Sequence, residues 1–180
     1  MTRRIVAALA LALLAGCNPS VQNNATPTPS PNPTSSALSL KISGHGTAKQ
    51  PVRIVEQTAK SDRVQYDLLA TSYVTIGSEG NTRADFKHVH ITFHGKDGSM
   101  LIADAPQAIL DQVSNTIELV GGVHAHNNAG STLACDTLRY DHRTEMIYGS
   151  GHVAITGPGG FHATGNRFES NISLTHTVMQ

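Results

Sequence analysis

Histidine is the residue type in this chain that most suggests chemistry, because neutral imidazole binds divalent transition metals. The chain has ten histidines. Six of them alternate with apolar residues, so on stacked strands they would share one outer face: His88, His90, His94, His124, His126 and His152. If neighbouring strands stack in register, His90 lies close to His124. The candidate ligands for Zn²⁺ or Cu²⁺ are His88, His90, His124 and His126. The prediction is a solvated polar face that binds no cofactor, and metal binding by these four residues is the alternative hypothesis.

Sequence motifs do not indicate catalysis. The chain has no Gly-x-Ser-x-Gly, no His-Glu-x-x-His and no P-loop. Asp104, Asp136 and Asp141 recur along the chain, and a carboxylate at a turn accepts hydrogen bonds from free backbone N–H groups. These three residues are expected to have a structural role, and the chain is predicted not to be an enzyme.

The first seventeen residues have the order of an export signal. Arg3 and Arg4 precede an aliphatic run over residues 5–14, and small residues then lead to Cys17. The run is too short to span a bilayer as a stable helix, so residues 1–16 are predicted to be a signal peptide. Cys17 resembles the lipidated cysteine of bacterial lipoproteins, in which two or more acyl chains give a stable anchor. The alternative is ordinary secretion with a coincidental cysteine.

The rest of the chain divides into a tether and one domain. Residues 17–36 are rich in Pro, Asn, Thr and Ser, which predicts an extended tether. Residues 37–180 have the usual size of a single domain. With Cys17 lipidated, Cys135 has no partner for an internal disulfide and is expected to be a small buried residue. Lys and Arg (13) balance Asp and Glu (13), so no nucleic-acid partner is predicted.

The domain is predicted to be all-β. Apolar and polar residues alternate in six segments: Val64–Leu68, Val89–Phe93, Ile117–Leu119, Thr132–Tyr140, Val153–Ile155 and Arg167–Leu174. Turn signals fall at residues 95–98, 121–122, 127–130 and 157–160. No segment shows a sustained helical period.

Units of about 30 residues repeat within the domain. Leu110-Asp111 and Ile117 in one unit correspond to Tyr140-Asp141 and Ile147 in the next. A single unit cannot cover its own apolar face, so the units are expected to stack around one core. The first and last strands of such a stack have unpaired edges, which are either protected or used for docking.

The order of these elements resembles the LptC/OstA-like family of lipopolysaccharide-export proteins. The resemblance runs from about Val64 to Ser170 and is carried by YDLLATSYVTI, FKHVHITFHGKDGSMLIADAPQAIL, NTIELVGGV and LACDTLRYDHRTEMIYGSGHVAITGPGGFHATG. It implies a twisted, incompletely closed β-jellyroll whose apolar interior holds lipid A acyl chains. It also implies edge pairing with OstA-like relay proteins and receipt of substrate from an inner-membrane ABC transporter.

The N-terminus departs from that family pattern. Typical members have an N-terminal transmembrane helix, whereas this chain has Cys17 and a Pro-rich tether. The expected location is therefore the periplasm, with a lipid anchor in either the inner or the outer membrane.

The predicted function is non-catalytic binding and relay of lipopolysaccharide or a related glycolipid. The candidate interior residues for acyl-chain contact are Phe93, Leu119, Leu133, Ile147, Ile155, Phe161 and Phe168. The residues alone leave an alternative open, which is a closed apolar core in a structural or metal-binding cell-envelope lipoprotein.

Overall fold

The structure, a computed structural model, describes residues 40–47, 49–58, 63–78 and 81–180. Its strands are β1 Leu40–His45, β2 Val52–Gln57, β3 Val64–Ala70, β4 Ser72–Ser78, β5 Asn81–His94, β6 Met100–Asp111, β7 Thr116–Asn127, β8 Thr132–Asp141, β9 Met146–Gly157, β10 Phe161–Asn171 and β11 Thr177–Met179. A three-residue 3₁₀ turn, Pro158–Gly160, is the only helical element in these ranges. The all-β prediction is confirmed. The predicted signal peptide, Cys17 and the tether lie outside the described residues.

The strands form one antiparallel sheet that follows chain order. β3 and β4, which are separated only by Thr71, pair with the two halves of the long strand β5. β2 and β1 pair in turn with β3 and β4. β1–β2 and β3–β4 are therefore two long strands, each broken in the middle, and the sheet is a meander. Its first and last strands do not pair with each other, so the sheet is open.

A row of irregularities, here called the bulge row, crosses the middle of the long strands. It consists of Thr71, His88, Ala105–Pro106, Gly121–Gly122, Cys135–Asp136, Gly151–His152 and Asn166. Extra residues in one strand of a pair bend that strand and increase its twist. Gly121, Gly122 and Gly151 have positive φ, which glycine adopts without steric cost. Pro106 has no N–H group to donate to a ladder, so a bulge suits it.

The bulge row folds the sheet into two layers. The first layer contains β2, β3 and residues 89–94, 100–105, 123–127, 132–135, 153–157 and 161–165. The second layer contains β1, β4, β11 and residues 81–87, 107–111, 116–120, 137–141, 146–150 and 167–171. Phe93 of the first layer contacts Tyr140 of the second, with ring centroids 4.6 Å apart. Buried residues of both layers form one cluster. The predicted incompletely closed β-jellyroll is therefore confirmed.

The repeat corresponds to a hairpin that ends in the same type of turn. Asp111 Oδ1 accepts hydrogen bonds from the backbone N–H groups of Val113 (2.8 Å) and Ser114 (3.1 Å). Asp141 Oδ1 accepts the equivalent bonds one unit later, at 2.8 and 3.2 Å. Asn171 Oδ1 accepts two backbone bonds after the third hairpin, at 3.0 and 3.2 Å. The backbone hydrogen bonds to Asp111 favour its charged carboxylate and lower its pKa, and the bond from the Ser114 N–H is the largest cause.

Two sequence predictions differ from the observed elements. Gly121–Gly122 was predicted as a turn but lies inside β7, because the positive φ that suits a tight turn also suits a bulge. The segment Arg167–Leu174 was predicted as one strand, but β10 ends at Asn171. Leu174 lies in the following turn with a φ of 57°.

Gly149 provides a test of how tightly the two layers pack. A Cβ added at this position would overlap the ring of Phe168, which is 3% exposed. We predict that Gly149→Ala lowers the free energy of unfolding by about 1–3 kcal/mol, because the ring must leave its packed position. The measurement is the midpoint of urea unfolding.

Gly157→Ala in the same strand is the matched control. The nearest atom to its added Cβ, Phe161 Cδ1, lies at an ordinary 3.4 Å. This variant is expected to change stability by less than about 0.5 kcal/mol. Equal effects of the two variants would contradict close packing at Phe168.

Candidate functional site

Six of the seven candidate interior residues lie between the two layers. Their exposed fractions do not exceed 3%: Phe93, Leu119, Leu133, Ile147, Ile155 and Phe168. The structure places the seventh, Phe161, outside the interior, with 55% of its surface exposed. Phe161 begins β10 at a free edge, because β11 covers only residues 168–170 of that strand. Contact of the other six with a lipid stays a prediction.

The interior is close-packed between the layers. Phe93, Leu119 and Tyr140 have no surface accessible to water. No gap as large as a water molecule therefore adjoins these side chains. A hydrocarbon chain can enter this interior only if the layers or their side chains move apart.

The two layers are joined in different ways at their two sides. At the bulge row the backbone of every long strand crosses from one layer to the other. At the opposite side the strand ends meet through side chains, and this contact line is here called the seam. It consists of Arg63, Lys96 and Asn127 on the first layer and Glu145 and Ser173 on the second.

Charged and polar contacts close the seam. Glu145 Oε1 lies 2.5 Å from Arg63 Nη2 and 3.1 Å from Lys96 Nζ. The Glu145 side chain is only 10% exposed, although it sits in a turn. Asn127 Nδ2 donates a hydrogen bond to the carbonyl oxygen of Ser173 at 2.7 Å. A cavity of about 220 Å³ opens beside these contacts, between Lys96 and Ser173.

An aromatic cluster lies behind the ion pair. The His142 ring contacts both Tyr66 and Tyr140, with centroids 5.3 Å apart in each case. Tyr140 Oη and His142 Nε2 are buried and have no hydrogen-bond partner among the described residues. Burial raises the pKa of Tyr140, while the charges of Glu145 and Arg63 act on it in opposite directions. The Tyr140 hydroxyl therefore lies near the ion pair.

The predicted histidine face lies on the outside of the sheet. Five of the six histidines are exposed and the sixth is half-buried: His88, His90, His124, His126 and His152 are exposed, and His94 is half-buried. His90 and His124 are not adjacent, because Asp104 of β6 pairs with both of them. No group of three or more His, Cys, Asp or Glu side chains suited to a metal ion occurs in the described part of the chain. Metal binding by His88, His90, His124 and His126 stays a hypothesis.

Two of the three recurring aspartates have a different role from the one predicted. Asp141 lies at a turn and accepts backbone hydrogen bonds, as expected. Asp104 and Asp136 instead lie within strands at or beside the bulge row, exposed to solvent. Each pairs with a histidine Nδ1 at 2.8 Å, His90 for Asp104 and His152 for Asp136.

Cys135 is a buried structural residue, as predicted. It is 4% exposed and unpaired, and burial is the largest cause that raises the pKa of its thiol to about 12. The thiol therefore stays protonated and unreactive at neutral pH.

The two ends of the sheet leave backbone groups unpaired within the described ranges. At the first end these are the outer edges of β1 and β2. At the last end they are the outer edge of β11 and residues 161–165 of β10. The prediction of open terminal edges is confirmed for this part of the chain.

The seam was not predicted from the sequence. Arg63 and Glu145 are 82 positions apart, and no local pattern connects them. The sequence repeat did give one indication that Glu145 is unusual. Glu145 and Asn115 occupy the same position in successive repeat units, and both have positive φ, 57° and 61°. Asparagine is common in that conformation and glutamate is not. A glutamate at this turn position is therefore unusual.

The model of a family described as lipopolysaccharide-assembly, LptC-related, matches residues 6–179. No curated protein matches the sequence. Within the described residues, no helix is long and apolar enough to cross a membrane.

His142 makes stability depend on pH. Burial is the largest cause that lowers the pKa of His142, and the charge of Asp141 partly opposes it. The unfolded chain therefore takes up this proton first as the pH falls below about 6.5. The contribution of His142 to the free energy of unfolding is fully present above that pH and is lost as the pH falls toward the folded-state pKa.

We predict that His142→Gln makes stability less dependent on pH between about pH 7.5 and about pH 5. One proton can contribute a slope of at most about 1.4 kcal/mol per pH unit. The measurement is the free energy of urea unfolding at each pH. Equal slopes for wild type and His142→Gln would contradict the prediction.

Proposed function

Because the chain belongs to the LptC-related family of lipopolysaccharide-assembly proteins, we propose that it binds lipopolysaccharide or a related glycolipid and relays it across the periplasm. The observation that carries the proposal is an apolar interior between two layers that only side chains hold together along the seam. The protein would act without catalysis, as a shield for acyl chains.

Burial of hydrocarbon supplies the binding free energy. An acyl chain gains about 0.8 kcal/mol for each CH₂ group removed from water. The interior side chains fill the space between the layers, so this gain is available only when the layers separate. The layers cannot separate at the bulge row, because the backbone of every long strand is continuous there, whereas separation at the seam breaks a few side-chain contacts. The seam is therefore the proposed entrance.

The free edges support pairing with neighbours. Unpaired strand edges bind other strands through backbone hydrogen bonds, which do not depend on side-chain identity. β1 and β2 at one end and β10 and β11 at the other would each accept a strand of an OstA-like relay protein or of an ABC transporter. Stacked neighbours would continue the apolar interior, so a lipid could pass from one to the next.

A lipid anchor on Cys17 would hold the protein at a membrane. The aliphatic run before Cys17 and the small residues beside it support export and lipidation. The Pro-rich stretch after it would keep the sheet away from the bilayer. The anchor would lie in the inner or the outer membrane.

The second candidate function is a structural or metal-binding cell-envelope scaffold. The absence of water-accessible surface at Phe93, Leu119 and Tyr140 favours it, because a scaffold needs a closed core and a carrier must open one. The exposed histidine face would then bind metal. The two candidates differ in whether lipid reaches the interior.

Photo-crosslinking separates the two candidates. With a benzophenone amino acid in place of Phe93 or Ile155, we predict covalent capture of lipopolysaccharide in cells, because both side chains face the interior. The readout is a lipopolysaccharide-positive band of higher mass. The same amino acid at His90 or Thr156, exposed residues of the same strands, should capture none. Absence of capture from both interior positions in folded protein would favour the scaffold.

Lipidation is tested separately. In cells grown with an alkyne-labelled fatty acid, wild-type protein should incorporate the label and Cys17→Ser should not, because the thioether requires that sulfur. Cys135→Ser is the matched control and should incorporate label like wild type. Equal labelling of Cys17→Ser and wild type would exclude the anchor.

A further inference from the structure

We propose that Arg63 and Lys96 bind the phosphate group of a phosphorylated amphiphile, and that Glu145 occupies these two cations until the phosphate replaces it. This inference rests on the proposed function and adds a headgroup site to it. Both cations belong to the first layer, and the carboxylate belongs to the second. Opening of the seam therefore exchanges one anion for another.

The geometry of the ion pair fits such an exchange. Arg63 Nη2 and Lys96 Nζ converge on the same oxygen of Glu145, at 2.5 and 3.1 Å. Two cations from different segments around one oxygen form a small anion-binding site, because arginine and lysine both bind phosphate oxygens well. A buried carboxylate needs these partners, so Glu145 holds the layers together while they are paired.

Arg63 keeps its position when the carboxylate leaves. Arg63 Nη1 donates a hydrogen bond to the carbonyl oxygen of His94 at 2.9 Å, and His94 ends β5 in the same layer. The guanidinium group is therefore fixed to the first layer independently of Glu145. Asp97 is the other acidic group beside the cavity, and its Oδ1 accepts hydrogen bonds from the backbone N–H and the hydroxyl of Ser99. Separation of the layers leaves Arg63 and Lys96 without their carboxylate partner.

The surroundings match an amphiphile with a polar sugar head and hydrocarbon tails. On the outer side of the ion pair is the cavity of about 220 Å³, whose lining includes Ser99, Thr144 and Ser173 and offers hydroxyl groups to a sugar. On the inner side are the rings of Tyr66 and Tyr140 and then the apolar core. A phosphate at the seam would therefore have its sugar at the cavity and its acyl chains toward the core.

Binding measurements on the full-length protein test this site. The probes are lipopolysaccharide and the same lipopolysaccharide after chemical dephosphorylation. We expect wild type to bind the phosphorylated form more tightly. The double variant Arg63→Gln/Lys96→Gln should lose about tenfold or more of the preference for the phosphorylated over the dephosphorylated form.

The direction in which Glu145→Gln changes the affinity distinguishes the proposal from a merely structural ion pair. Removal of the competing carboxylate should strengthen binding of phosphorylated lipopolysaccharide, whereas loss of the cations weakens it. A merely structural ion pair predicts that both changes act in the same direction, and that result would overturn the proposal. The exposed pair Arg53 and Asp67 is the matched control, because it joins strands of the same layer at 2.5 Å. Arg53→Gln and Asp67→Asn should change neither affinity.

A variant that lacks all three charges of the ion pair is the control for loss of folding. Arg63→Gln/Lys96→Gln leaves Glu145 buried without partners, so the triple variant with Glu145→Gln is measured beside it. It should show a cooperative urea transition and bind both forms of the lipid equally. A preference for the phosphorylated form in this triple variant would overturn the proposal.

Two further measurements on wild type distinguish a headgroup site from a site for free phosphate and from the absence of a phosphate site. Inorganic phosphate alone, at millimolar concentration, should not bind wild type, because it brings no acyl chains to open the seam. Binding of inorganic phosphate that depends on Arg63 and Lys96 would overturn the assignment to an amphiphile. Equal binding of both lipid forms to wild type would overturn the phosphate site alone, and binding of neither would overturn the carrier function as well.

Discussion

One constraint determines the architecture: an apolar sheet face has to be covered, and within the described residues only the same sheet is available to cover it. Backbone bending at the bulge row meets that constraint. Each long strand reaches the bulge row, bends, and continues in the opposite layer. Gly121, Gly122 and Gly151, which have positive φ, and Pro106 lie where the ladder is interrupted, and pairing is regular on either side. The two layers of this domain are thus halves of the same strands.

Because the two layers are halves of the same strands, they are joined differently at their two sides. At the bulge row the layers are covalently continuous, while at the seam they meet through a partly buried ion pair and a hydrogen bond from the Asn127 side chain. An ion pair shielded from solvent contributes little net stability compared with apolar packing, but it is costly to break on one side only. In the proposed carrier the seam would therefore have two states, one fully paired and one in which both sides have other partners. Such a contact would suit an entrance better than a permanent wall.

The sequence predicted what depends on local periodicity. Period-two alternation correctly assigned Val89, Ile91 and Phe93 to the interior and the neighbouring histidines to the outside. The repeat of Asp111 and Asp141 correctly indicated a recurring turn. Gly121–Gly122 was misassigned because positive φ serves turns and bulges alike. Phe161 was misassigned because the apolar–polar alternation of its strand predicts an inward side chain, whereas none of the described strands covers the free edge at this position.

Contacts across the seam had no such local signal. Arg63, Lys96 and Glu145 come together only because the bulge row brings opposite strand ends into contact, and the path of that bend is a property of the whole sheet. Periodicity reports which face a residue occupies, but it does not report which layer a strand end will meet. The same limit applied to the interior, since alternation placed six candidate residues inside without indicating how closely the layers pack.

A close-packed interior and a carrier function are compatible when the free energies of the two states are compared. Opening the seam exposes apolar side chains at about 25 cal/mol for each Å² of surface, and acyl chains that then cover this surface recover a similar amount per Å². The two terms are of the same kind, so they largely cancel, and the net free energy of loading stays small. A relay protein needs this balance because a lipid bound too tightly would not be released to the next protein. In the proposed carrier, selectivity would then depend on the polar seam, where the charges of the headgroup rather than the area of its tails would distinguish one amphiphile from another.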